Sequence, residues 1–137
     1  MTATDKDVAE VLDAKLAGVS GLPVVFWENG KPDAGSEDEV PRLETNLFVQ
    51  DPETYSLGGR HRRRYIYQVT VVVAEHEYQW NARDYAEIIT AAFAWNTDIA
   101  GLSNGRLFVY RRPNTSTAQP ENAEWRLPVS IYLELIE

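Results

Sequence analysis

The chain has 137 residues, 44% of them apolar, a formal net charge of −8 and no cysteine. That length fits one domain with a core about two layers thick, and the apolar content is too high for a disordered chain. The acid excess argues against nucleic-acid binding through the whole domain, and the absence of cysteine excludes a disulfide frame, a thiolate metal site and a thiol nucleophile.

No apolar run approaches the roughly 20 residues of a membrane span. The opening residues, Met1 to Asp7, are polar and acidic, without the basic start and apolar stretch of a secretory signal, so folding in a cytoplasm is expected.

Thr4 to about Val19 reads as a helix. Thr4 is a candidate N-cap, and Asp5, Asp7 and Glu10 put negative charge where the helix dipole favours it. Val8, Val11, Leu12, Leu16 and Val19 make the apolar face, and Gly18 and Gly21 mark the end. Leu22 to Trp27 is a short strand, with Pro23 suited to its first position or to an edge. Glu28 to Glu39, rich in Gly, Pro and acid, reads as an exposed loop. Its Ser36 to Glu39 run lacks the spaced ligands and glycine of a calcium loop, so no metal is expected there.

Pro41 to Gln50 is a second strand in which Leu43, Thr45, Leu47 and Val49 alternate with Arg42, Glu44, Asn46 and Phe48. Asp51 to Gly59 reads as a loop. Tyr65 to Ala74 is the strongest strand, β-branched and aromatic throughout. The cluster Arg60 to Arg64 immediately precedes it. These arginines suit either phosphate contact or a strand end that meets acidic surface, in the same chain or in a neighbour. Alternation puts Arg62 and Arg64 on the face of Ile66, Gln68, Thr70 and Val72, and His61 and Arg63 on the face of Tyr65, Tyr67, Val69, Val71 and Val73.

His76 stands alone between Glu75 and Glu77, which is weak support for a metal or a general base. Asn81 is a candidate cap for a second helix, with Asp84 at N3 and an apolar stripe of Tyr85, Ile88, Ile89, Ala92 and Phe93. The helix frays near Asn96 to Gly101, and Ser103 to Gly105 is a turn. Arg106 to Arg112 is a strand, Asn114 to Ala123 a polar flexible connection, and Glu124 to Ile136 a last strand. In that last strand Trp125, Leu127, Val129, Ile131, Leu133 and Leu135 share one face. Pro128 calls for an edge or a bulge. The expected fold class is α+β: a largely antiparallel β-sheet of about five strands with two helices packed on it, in a single domain over 1–137.

The phosphate loop, the dinucleotide-binding glycine run, the nucleophile elbow and the zinc-protease helix motif are all absent from the sequence. No catalytic residue, cofactor or metal is therefore expected. Tyr65, Tyr67, Trp80 and Trp95 suit core positions better than the walls of a ligand pocket.

The layout resembles the tail terminator proteins of long-tailed bacteriophages and prophages. The resemblance rests on Leu22 to Asn29 after a short helix, Pro41 to Glu44 opening a strand, and the pair Gly58 and Gly59. A long strand, a helix ending in Ala92 and Phe93, and the closing run Trp125 to Ile131 complete it. It covers nearly the whole chain, and the order and spacing of the motifs carry it. Arg60 to Arg64 and the turn Glu77 to Trp80 depart from the usual pattern.

The resemblance implies a structural virion protein without enzymatic activity: a homo-hexameric ring at the head-proximal end of the tail tube. Such a ring stops tube polymerisation and joins the tail to the neck, with tail tube protein and head–tail connector proteins as partners. DNA would pass through its lumen without specific binding, and no membrane is involved. Arg60, Arg62, Arg63 and Arg64 would form one half of a subunit contact and Glu37, Asp38 and Glu39 the other. The alternatives are another joining protein, either a head–tail connector or a tail tube subunit, and a small cytoplasmic ligand-binding domain.

Overall fold

The structure, a computed structural model, describes residues 3–27, 41–50, 53–54, 61–74, 80–121 and 124–136. The expected loop at Glu28 to Glu39, the Gly58–Gly59 pair, Arg60 and His76 lie outside the described residues.

The first helix, α1 (Asp5–Ala17), starts where the capping signal puts it. Thr4 Oγ1 accepts the Asp7 N–H at 3.1 Å, and Asp7 Oδ2 accepts the Thr4 N–H at 2.9 Å. This reciprocal box satisfies two orphan donors of the helix end. The Thr4 backbone N–H, and after it the Thr4 side chain, hold the Asp7 carboxyl below its ordinary value. Val8, Leu12 and Leu16 are buried, as their spacing requires. Of the two terminal glycines, only Gly21, at φ 87°, uses the left-handed conformation that favours glycine.

After it come β1 (Val24–Phe26), β2 (Arg42–Val49), β3 (Glu53–Thr54) and β4 (His61–Ala74), then α2 (Trp80–Ala92). The chain continues through β5 (Asp98–Ile99), β6 (Arg106–Val109), β7 (Asn114–Thr115), β8 (Gln119–Glu121) and β9 (Glu124–Ile136). The sheet runs β1-β2-β4-β9-β6-β5 and is curled; β3 pairs with β4, and β7 and β8 pair with β9. All its pairs are antiparallel except β1 with β2.

The α+β class, the two helices and the mostly antiparallel sheet match the sequence expectation, but about five strands was too few. The missed strands are β3, β5, β7 and β8. They fall in the segments read as the loop at Asp51 to Gly59, the frayed end of α2 and the flexible connection at Asn114 to Ala123. Each has two or three residues, too few to show a period; β3, β7 and β8 form by pairing on the long strands β4 and β9, and β5 by pairing on β6.

β4 and β9 are the spine of the molecule, paired from Arg62↔Ile136 to Ala74↔Glu124. Their inward rows are Tyr65, Tyr67, Val69, Val71 and Val73, and Leu127, Val129, Ile131, Leu133 and Leu135, all buried. Both helices cover this face. The buried stripe of α2 is Ala82, Ala86, Ile89 and Phe93, with Tyr85 and Ala92 packed at its sides. The expected stripe was thus rotated: alanines lead, because a small side chain lets the helix axis approach the sheet. Asn81 is not the cap, since the helix begins at Trp80 and Asn81 lies within it.

Pro128 sits in an interior strand, not at a sheet edge, paired with Thr70 of β4. Its carbonyl accepts the Ser116 N–H at 3.0 Å on the other flank, where β7 pairs at Val129 and β8 at Arg126. The proline therefore falls at the gap between two short partner strands, where a missing N–H breaks no ladder bond.

Candidate functional site

Arg62, Arg63 and Arg64 lie inside β4 instead of ahead of it, and alternation divides them between two environments. Arg63 shares the helix side with Tyr65 and Tyr67. Its guanidinium meets Asp5 at 3.2 Å and donates to the Ala3 carbonyl. The neighbouring phenols do the same work: Tyr65 donates to Asp5 Oδ1 at 2.6 Å and Tyr67 to Asp13 Oδ1 at 2.7 Å. Both rings are core, as expected, with their hydroxyls reaching carboxylates on α1. Arg63 thus belongs to the internal attachment of α1.

Arg62 and Arg64 point to the opposite face of the sheet, the one without helices, and share Glu134 of β9 at 3.5 and 3.7 Å. Glu134 is only 6% exposed, so two guanidiniums compensate one buried carboxylate. Arg64 also stacks over Tyr110 at 4.7 Å, Tyr110 meets Tyr132 edge-on at 6.4 Å, and Arg111 stacks over Tyr132 at 4.2 Å. Together these side chains form a continuous cationic and aromatic strip from β4 across β9 to the residues after β6. Register places Ile66 beside Tyr132 and the half-exposed Phe48 beside Ile66.

The other end of this face carries a second charged group. Arg42 is 6% exposed. It donates through Nε to Glu44 at 2.8 Å and through Nη1 to Glu124 at 2.7 Å, while Arg126 donates to Glu44 at 2.6 Å. Burial pushes the Glu44 carboxyl up, but the bonds from Arg126 and Arg42 outweigh it and hold the group below its ordinary value. Burial likewise weakens the charge on Arg42, and its bonds to Glu124 and Glu44 more than restore it.

Trp80 and Trp95 depart from the core positions expected for them and are 48% and 59% exposed. Trp95 lines a hollow of about 400 Å³ with Tyr110, Arg111 and Arg112. Sequence reasoning missed this cluster, although Tyr110, Arg111 and Arg112 were adjacent at a strand end. The expected strand Arg106 to Arg112 ends at Val109, which leaves Tyr110 and the two arginines beyond it, and alternation gave no signal of that early end. Of the subunit-contact candidates, Arg62, Arg63 and Arg64 are described and divided as above, while Arg60, Glu37, Asp38 and Glu39 are outside the described residues. Among the described residues no group of three or more His, Cys, Asp and Glu side chains is placed to hold a metal ion, and no helix is long and apolar enough to cross a membrane.

A charged, aromatic, helix-free sheet face suits contact with other proteins more than chemistry on a small substrate. None of the curated proteins matches this chain. One solved structure similar to it aligns over 98% of this chain and 96% of its own, at a TM-score of 0.71 and 20% identity, a likeness of fold alone. The model of the phage tail terminator protein family matches residues 7–132, from the first turn of α1 to Tyr132 in the aromatic strip, and the chain belongs to that family.

Proposed function

We propose that this chain closes the head-proximal end of a phage tail. It assembles as a homo-hexameric ring on the last ring of the tail tube, stops tube polymerisation and offers its other side to the neck proteins. The family match across residues 7–132 carries this reading. Family membership implies association with tail components and a place in the virion tail. It is a structural role with no cofactor, and it favours the terminator over a connector, a tube subunit or a ligand-binding domain.

A ring needs one heterologous side contact that closes on itself. The acidic run Glu37, Asp38 and Glu39 supplies one half, and Arg60 with the arginine-bearing sheet face of Arg62 and Arg64 the other. Arg63, engaged with Asp5, supports that strand from within. Charge matching of this kind orients subunits and speeds their encounter more than it adds affinity. The net charge of −8 also suits a lumen through which DNA slides without sticking.

The reading is tested on polymerising tail tube protein from the same phage. Adding the purified chain is expected to halt elongation, with the chain on one end of each tube in negative-stain images. Tubes that grow unchecked and carry no chain at their ends would contradict it.

A further inference from the structure

Trp95 has the greatest fractional exposure of the large apolar side chains in the described residues. The backbone holds it there. Asn96 takes φ 70°, its N–H donates to the Val109 carbonyl at 2.8 Å, and the Val109 N–H donates to the Thr97 carbonyl at 2.9 Å. The linker after α2 is thereby fastened to the end of β6, and the indole stands beside Tyr110, Arg111 and Arg112 around their common hollow.

The two arginines differ from the others on this face. Arg42, Arg62, Arg64, Arg106 and Arg126 each meet a carboxylate within the chain. Arg111 and Arg112 are exposed, and among the described residues neither has a carboxylate within ion-pair distance. An open indole beside two cations that no described carboxylate neutralises fits a segment carrying carboxylates and a proline, since aromatic grooves take proline rings and guanidiniums take carboxylates.

The sequence contains such a segment. Residues 28–39 hold five carboxylates (Glu28, Asp33, Glu37, Asp38 and Glu39) against one lysine, together with Pro32. We propose that the hollow of Trp95, Tyr110, Arg111 and Arg112 receives this acidic segment from a second copy of the chain. The segment joins β1 to β2, at the opposite side of the sheet from β6 and β5. Four strand spacings, roughly 19 Å measured along the curled sheet, lie between β1 and β6. Donor and acceptor on opposite edges make a head-to-tail contact that every copy uses twice, once on each side. The acceptor is continuous with the arginine cluster of β4 through Arg64 on Tyr110. The proposal rests on the ring reading above and names the residues that take up the neighbouring subunit.

Two measurements on the full chain test it. The first is sedimentation of the wild type, Arg111→Glu/Arg112→Glu, Glu37→Lys/Asp38→Lys/Glu39→Lys, and the combination of both sets. Either set alone is expected to weaken assembly at least tenfold, and the combination to restore it, with unchanged circular dichroism in every variant. The second is titration with a synthetic peptide of residues 28–40, read by tryptophan fluorescence and compared with Trp95→Ala. Saturable, salt-sensitive binding that the Trp95→Ala and arginine variants lose supports the site, even where the free wild type is monomeric.

A peptide that does not bind the wild type overturns the proposal. So do Arg111→Glu/Arg112→Glu rings that form normally, which would leave the ring reading standing. An arginine variant that assembles normally but loses retention on DNA would assign the hollow to nucleic acid and also overturn it. Failure of the wild type to cap tubes, with peptide binding intact, strikes the ring reading alone.

Discussion

The most consequential single residues lie where charge meets burial. Glu44 accepts from Arg42 and Arg126, and its folded-state carboxyl is held below the ordinary value of 4.5. A depressed carboxyl contributes stability above its unfolded value and loses it as pH falls through the folded one. At neutral pH, Glu44→Gln should therefore lower stability by about 1–2 kcal/mol. The gap between wild type and variant should close as pH falls below 4.5. Urea midpoints from neutral to acid pH measure this, and a gap independent of pH would contradict it. The sequence showed Arg42 and Glu44 on the outward row of a half-buried strand. It gave no sign that Glu124 and Arg126, some eighty residues later, complete the group, because register between distant strands is a tertiary property. Tyr65 and Tyr67 were legible as core from alternation alone. Trp95 was not, because an isolated tryptophan between a helix and a two-residue strand has no pattern around it.

Among the elements, the long ones were legible and the short ones were not. α1, β4 and β9 each carry enough residues for a period to emerge, and α1 has its capping box as well. β5 and the two strands before β9 exist because β6 and β9 offer them free edges; their own sequences are polar and irregular. The packing of α1 against the turn after β5 depends on one glycine. Gly101 takes φ 115°, and a Cβ there would stand 2.9 Å from Val11 Cγ1 of α1. Gly101→Ala combines a conformation that side chains avoid with a collision in the helix interface, and should destabilise by about 1–3 kcal/mol. A urea denaturation curve within 0.5 kcal/mol of wild type, roughly the ordinary spread for surface substitutions, would show that the turn relaxes freely.

The whole molecule is a curled sheet with one covered face and one open one. Both helices stand on the covered face, bonded by the Tyr65 and Tyr67 hydroxyls and by Arg63 on the α1 side and packed through Ala82, Ala86, Ile89 and Phe93 on the other. The open face keeps its charges in internal pairs at both ends, and keeps Trp95, Arg111 and Arg112 available at one edge. That division suits the assembly role proposed above: one face closes the core, and the other holds its side chains in place before a partner arrives. Family membership was legible in the order of short motifs along the chain. The helix-free face was only half legible, since alternation separated Arg62 and Arg64 from Arg63 but gave no hint of the aromatic strip they join. The measurement that reaches the central claim most directly is electron microscopy of particles made without this gene. Overlong headless tails beside separate filled heads are the predicted result. Free tails of normal length with a finished end, or normal infectious particles, would contradict it.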